Sequence, residues 1–534
     1  MAQKVIVTNF SALTGKYGQS GIQEIKSALD AYVLADQERG NNTVIVPIDD
    51  AKTMKAYGNK TVTDAANEKQ NKDAIDAVYA KLQPDYLVLL GATDVIPHQS
   101  LKNLMFNPPN DPDEFALSDL PYACDVPYGQ EPGGFNAPTR VVGRIPDLTG
   151  SKDPQYMIDL LNTYSSWTQK PSSAYSDYLG LTALVWQGST SLSLNNIFGN
   201  DSEIQTSPTA GPNWSTKFIS RLAHFINCHG SPIDPFYYGQ ESSNYPQAHA
   251  ASFLESTPDI QEGTVVAAEC CYGAELYDPN DAGQMGICNT YLKRKAYGFL
   301  GSSTIAYGPA DSNSDADLIC QYFLKHVLEG SSTGRATLEA RLDFIQESGL
   351  LDPVNLKTLC QFNLMGDPSI VPVTIPKSEK APKAMRGVKG MDFEQTQRRV
   401  NLKAVGEALG RTVPVAKRLP IPKGGQAPSQ TALKQILKQE KISSPKVMSF
   451  QIAAPASPLF RSTKRSLEIK SGPKAKTLPN RVHVVFETIT TPKAVRGVKG
   501  VAKTAPEKIP PHGSALVAWE HDGKIISYRK VFQH

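Results

Sequence analysis

Cysteine is scarce in this sequence, with seven in 534 residues. An odd number, so thinly spread, excludes a disulfide scaffold and fits a reducing compartment. Long apolar runs are also missing. No stretch approaches the roughly 18 consecutive apolar residues that a transmembrane helix needs, which excludes a membrane span. The opening MAQKVIVTNFSALTGKYG has no apolar core of signal-peptide length and no small-residue cleavage site. A cytoplasmic location is therefore expected. There is no Gly-rich phosphate loop. Cys228 and Cys288 lack the C-x-x-C or H-x-x-x-H partners of a zinc site.

What is present is divided unevenly. The net charge is +3, but residues 380–534 hold 30 Lys and Arg against 9 Asp and Glu. The 379 residues before them hold 25 against 43, and all seven Cys. One chain thus joins an acidic part to a basic part.

The acidic part alternates β-rich runs with helical patterns. KVIVT at Lys4–Thr8, TVIVP at Thr43–Pro47 and DYLVLLG at Asp85–Gly91 read as strands, with helices between them over Ser20–Arg39 and Asp64–Leu82. A second series predicts strands at Tyr178–Trp186, His224–Cys228, Thr264–Ala268 and Ala296–Ala306. Helices are expected near Asp315–Glu329 and Gly334–Ser348. This rhythm predicts an α/β fold with a mostly parallel sheet flanked by helices. The expected organisation is an N-terminal α/β subdomain over 1–150 and a catalytic one over 151–376. A basic, Pro- and Lys-rich linker over 377–446 and a small β-rich domain over 447–534 follow. Within the linker, helical patterning survives near Gln395–Leu409 and Ser429–Lys441. One phrase repeats, as PKAMRGVKGM at Pro382–Met391 and PKAVRGVKGV at Pro492–Val501.

Two apolar runs end in reactive residues. Phe225–Ile226–Asn227–Cys228 stops at His229–Gly230, and Val265–Val266–Ala267–Ala268–Glu269 stops at Cys270–Cys271 before Gly273. Ligands gather at the carboxyl ends of strands in open α/β sheets, so adjacent strands would bring this His and Cys to one edge. A thiol with a pKa near ~8.5 is only a few per cent ionised at neutral pH. An imidazole beside it takes the proton and later returns it to a leaving amine. Gly230, without a Cβ, lets its N–H approach a substrate carbonyl. Each residue taken alone reads as a core thiol or a turn. The pair carries the chemistry.

With these motifs the sequence resembles the gingipain-like cysteine peptidases, within the superfamily of caspases, legumains, metacaspases and clostripain. The resemblance extends to Ser11–Ala12–Leu13 with Lys16–Tyr17–Gly18, to Leu89–Gly91 through Asp94–Pro97, and to Val142–Gly143–Arg144. It continues at Gly301–Tyr307 and Leu364–Pro368, covering about residues 3–374. It implies a cysteine endopeptidase with His229 as general base and acid. Because the nucleophile of most relatives stands three before a Gly, it implies Cys270, with Cys271 as the alternative. Gly230 and the Cys270 backbone would form the oxyanion hole. Glu269, Asp234 and Cys271 are candidate substrate contacts, Glu269 being equally well read as a solvent-facing carboxylate. The loop QGSTSLSLNNIFGN has no acid before Asp201, so the Arg preference of some relatives does not carry over. Asp234, Asp278 and Asp311 are alternative sources of charge.

No cofactor is required. Calcium, which takes oxygen ligands, has candidates in Asp111, Asp113, Asp311, Ser312, Asn313 and Asp315. The expected partner is a protein or peptide substrate. The basic region is expected to dock on the acidic part in cis, with a solvated tether and an anionic partner as alternatives. Nucleic acid is disfavoured, because Lys377–Lys446 contains only one aromatic residue, Phe393. Arg386 and Arg496 in the repeated phrase are candidate processing sites. The competing reading is a catalytically idle adaptor that keeps the peptidase fold and binds partner proteins.

Overall fold

The short β-branched runs form one sheet because their side chains are apolar on both faces, which only a sheet covered by helices on each side can bury. The structure is a computed structural model that describes residues 3–375, 393–418, 430–442, 445–453, 479–487 and 513–534. The repeated phrases, with Arg386 and Arg496, lie outside the described residues. Ten strands run in the order Thr43–Pro47, Lys4–Thr8, Tyr86–Leu90, Val142–Ile145, Phe362–Met365, Gly298–Ser302, Val265–Ala268, Ala223–Asn227, Tyr178–Ala183 and Ile204–Ser207. All neighbours are parallel except Phe362–Met365 against Gly298–Ser302. The sheet is therefore two five-stranded parallel blocks of opposite direction, joined at that one antiparallel seam.

Close backbone contact and buried polar groups tie together the parallel block that ends at this seam. Gly143 is needed where it stands, since a Cβ there would lie 2.9 Å from the Gly366 carbonyl oxygen. Arg144, fully buried, donates to Asp119 and to the carbonyls of Gly91 and Ile96. Lys4 on the first strand pairs with Asp36 and with Asp367, which follows the last strand. Lone charges here would be prohibitively desolvated, and their pairing is what lets them sit inside.

Two local expectations are corrected. The helix expected from Ser20 begins at Phe10, capped by Asn9, and bends at Gly18, whose φ is +68°. The loop expected over 187–200 is instead a helix at Gln187–Phe198. Its buried face is Ser189, Thr190, Ser193 and Leu194, so it carries no apolar periodicity to read. Ile204–Ser207 was also missed, being a half-exposed edge strand of mixed polarity.

The basic part contributes a second, antiparallel sheet. Its order is Tyr307–Gly308, Lys524–Gln533, Ser514–His521, Arg481–Phe486, Lys446–Ala453 and Val415–Arg418. The last of these, and helices at Phe393–Thr412 and Gln430–Gln439, come from the segment expected to be mostly linker. The first, Tyr307–Gly308, comes from the acidic part and pairs with the final strand. Arg529 on that strand lies between Asp315 and Asp352.

A buried hydrogen-bond chain pins the strand that carries His229. Trp214 Nε1 donates to His249 Nδ1 at 3.0 Å, and Tyr291 Oη lies 2.8 Å from His249 Nε2 and 2.9 Å from His224 Nδ1. His224 Nε2 donates to the Arg221 carbonyl. Every ring nitrogen is used once with both imidazoles neutral. Burial lowers His224 to about 4 and, with the neighbouring His224, His249 to about 3. An unfolded chain takes up these protons near pH ~6.5, so stability present above that pH is lost as pH falls towards those values. Imidazole ¹⁵N spectra of histidine-labelled protein are expected to show both rings neutral at pH 5.5. The thermal midpoint is expected to fall steadily below pH 6.5. Charged rings at pH 5.5 in folded protein would contradict this.

Candidate active site

Adjacent parallel strands place the two motifs side by side. Ala223–Asn227 pairs with Val265–Ala268 in a register that ends at Ile226 opposite Ala268. Continued three residues further, that register sets His229 beside Cys271 and Cys228 beside Cys270. The strand ends then approach closely. A Cβ at Gly230 would stand 1.8 Å from the Cys271 carbonyl oxygen. Only glycine is compatible with that approach. Past Cys271 the chain turns through Tyr272, at φ +55°, with Gly273 N–H donating to the Cys270 carbonyl.

The two cysteines meet different surroundings. Cys270 is buried in the core, where burial and then the neighbouring Cys228 push its thiol well above the usual range. Cys271 Sγ lies against the Ala306 peptide, accepting from its N–H at 3.3 Å and donating to its carbonyl at 3.6 Å. Its thiol is also pushed up by burial, while Lys357 acts in the opposite direction.

His229 is held on three sides. Its backbone exchanges hydrogen bonds with Tyr238 at 2.9 and 2.8 Å. Its ring centroid is 4.3 Å from that of Trp186 and 5.2 Å from that of Tyr245. Nε2 is 2.8 Å from Gln240 Oε1, and Gln240 Nε2 donates to the Ser242 carbonyl. The amide thus presents its oxygen to the ring, which assigns the proton to Nε2 and leaves Nδ1 as the basic nitrogen.

The cleft is filled by the chain itself. The carbonyl oxygen of His534 accepts from Cys271 N–H at 2.9 Å and, more weakly, from Gly230 N–H at 3.5 Å. His534 N–H donates to the Ala306 carbonyl at 3.1 Å. Its imidazole stacks on Trp186 at 4.1 Å, with Nδ1 2.6 Å from Asn227 Oδ1.

The remaining expected residues are distributed as follows. Glu269 does not face solvent. It is fully buried beside Asp317, and burial first, then the other acid, pushes its carboxyl well above the usual range. Asp234 accepts from Tyr238 Oη at 2.9 Å and from Phe236 N–H. Asp278 caps a short helix at Pro279–Ala282. Asp111 and Asp113 face Lys357 at 2.6 and 3.4 Å, and Asp315 faces Arg529. Sequence reasoning missed Trp186, Asn227, Gln240, Asp317 and His534. Asn227 was within reach, since it precedes Cys228–His229 on the same strand end. Gln240, Asp317 and His534 meet the site only through tertiary contacts.

The model of peptidase family C25 matches residues 5–373. Among solved structures, one described as the structure of a protease aligns over 100% of this chain and 97% of its own, at 12% identity and a TM-score of 0.44. No curated protein matches.

The close approach at Gly230 is open to a direct test. Gly230→Ala is expected to lower unfolding stability by about 1–3 kcal/mol, the usual cost of overpacking. Gly15→Ala, in helix Phe10–Glu38 with nothing within 4 Å of the added Cβ, is expected to be neutral or stabilising by up to about 1 kcal/mol. Urea denaturation of both variants measures the contrast, and equal effects would refute it.

Proposed function

The chain belongs to peptidase family C25, a family of cysteine peptidases, and on that premise we propose that it cleaves peptide bonds with His229 as base and Cys271 as nucleophile. The observation that carries this reading is the convergence of two N–H groups, from Gly230 and Cys271, on one carbonyl oxygen. A nucleophile whose own N–H helps hold the oxyanion has its Sγ beside the carbonyl carbon. Cys271, with Sγ and the bound residue's N–H both on the Ala306 peptide, fits that requirement. Cys270, the nucleophile inferred from the spacing to Gly273, has its thiol among Cys228 and Glu269 instead.

In the proposed reaction, Cys271 Sγ attacks the carbonyl carbon as His229 Nδ1 takes the thiol proton. The oxyanion forms between the Gly230 and Cys271 N–H groups, each such donor being worth about 2.7–4 kcal/mol. Collapse breaks the C–N bond, and His229 returns the proton to the leaving amine. Water then attacks the thioester, giving its proton to His229, and the acid product leaves with the thiol restored. Gln240 acts as a positioning residue, since it sets the His229 tautomer.

In the same reading, the basic C-terminal region docks on the acidic part and restrains the site. The pairing of Tyr307–Gly308 with Lys524–Gln533, and Arg529 between Asp315 and Asp352, support this.

Single substitutions separate the two thiols. Cys271→Ala and His229→Ala are each expected to lower peptide hydrolysis by at least about 10³-fold, since nucleophile and base act as a unit. Cys270→Ala is expected to keep activity within about tenfold while losing about 1 kcal/mol of stability to a methyl-sized void. Initial rates on a peptide library, with urea midpoints alongside, read both effects. Activity that survives Cys271→Ala but not Cys270→Ala would move the nucleophile by one residue. Survival of both would end the peptidase reading.

A further inference from the structure

We infer that Val531–His534 lies in the cleft as the acyl half of a substrate, and that the pocket holding the His534 ring selects histidine before the cut. The inference rests on the peptidase reading above and deepens it by naming the residue the site prefers.

The geometry of the segment is that of a bound peptide. Phe532 and Gln533 pair antiparallel with Gly308 and Tyr307. The next residue, His534, gives its N–H to Ala306 and its carbonyl to the two N–H groups of the reactive strand ends. Main-chain pairing of this kind provides register, and the pockets for alternate side chains provide selection. Gln533 Nε2 donates to the Asn110 carbonyl at 2.6 Å and lies 3.1 Å from Tyr307 Oη. The segment is tethered upstream by Arg529, two residues before Val531.

The ring pocket fits a flat, neutral heterocycle. Trp186 covers one face of the imidazole, with an interplanar angle of 19°. Asn227 Oδ1 accepts from Nδ1, and its amide nitrogen is held in turn by Thr190 and Asp317. Gly308 leaves the space that the far edge needs, since a Cβ there would stand 2.3 Å from His534 Nε2 and 2.9 Å from Asp317 Oδ2. Asp317 is itself pushed well above the usual carboxylate range, first by burial. Asp315 is already paired with Arg529. A lysine at this position would give up the flat contact with Trp186. A phenylalanine would leave Asn227 Oδ1 without its donor, and sites built around a hydrogen bond reject analogues that lack it.

Alkylation of Cys271 by iodoacetamide, read by peptide mass spectrometry on the full chain, tests occupancy without relying on catalysis. His534→Gly is expected to raise the alkylation rate about tenfold or more over the parent. Gly308→Ala, whose Cβ expels the ring from the pocket, is expected to do the same by an independent route. Free Val-Phe-Gln-His should then restore protection to His534→Gly at a concentration at least about tenfold lower than Val-Phe-Gln-Lys or Val-Phe-Gln-Phe. Coumarin amides of the same three peptides separate the two claims. Alkylation that rises, with histidine-selective protection but no hydrolysis of any amide, supports the occupancy and the ring selection but overturns the peptidase reading and, with it, a cut after histidine. Parent-like alkylation in both variants overturns the occupancy. Equal or better protection by the lysine peptide overturns the selection, even in an active peptidase.

Discussion

The register between two parallel strands is the constraint on which the site depends. With Ile226 set opposite Ala268, the next residues along each chain have little freedom, and the glycine at 230 follows from the 1.8 Å that a Cβ there would leave to the Cys271 carbonyl oxygen. A slip of one residue would carry His229 away from Cys271 and put a side chain into the space that only hydrogen now occupies. The sheet resists such a slip because both strands are interior and buried on both faces, so a shift would undo close packing on each face at once. The Trp214–His249–Tyr291–His224 chain adds a directional restraint at the other end of the same strand.

From that register comes a division of labour between neighbouring thiols. Cys270 belongs to the core of the sheet, among Cys228, Glu269 and the tyrosines at 237 and 291. Cys271 sits where the chain leaves the strand, and the left-handed Tyr272 turns it immediately afterwards. Its N–H therefore points into the cleft rather than into the ladder. With the cleft filled by His534, the Cys271 thiol is dry and held protonated by burial. A thiol in that state is a poor nucleophile.

Much of this was legible in the sequence, for reasons that also mark where legibility stops. The interior strands read correctly because continuous β-branched runs have few other uses, and the strand before His229 was recognisable because the run stops there so abruptly. The choice between Cys270 and Cys271 was not decided by pattern. Both follow the same strand, and spacing to Gly273 measures distance along the chain, not direction in space. Helix Gln187–Phe198 escaped because it buries hydroxyls against Thr182 and Asn227 rather than apolar side chains. Glu269 was read as a substrate contact or, equally, a solvent-facing carboxylate, and it is neither exposed nor paired with solvent. Nothing local to it announces that Asp317, on a helix 48 residues later, shares its burial. The final strand was expected, but its last residue carries no motif, and its place in the cleft exists only in three dimensions.

The charge asymmetry invites the idea that attraction between the basic and acidic parts holds the cleft shut, yet the contacts argue for a narrower role. Among the described residues, the ion pairs between the two parts converge on Arg529, with Asp315 and Asp352. Lys530 is paired within its own sheet, with Glu487, and Lys446 reaches only the Pro108 carbonyl. Diffuse charge of this kind acts over a Debye length of about 8 Å at physiological salt and chiefly guides approach. The contacts in the cleft are a stacked imidazole, an amide and a strand pairing. Among the described residues Arg529 is thus the charged anchor of the final strand, and Gln533 and His534 hold its end by hydrogen bonds and stacking.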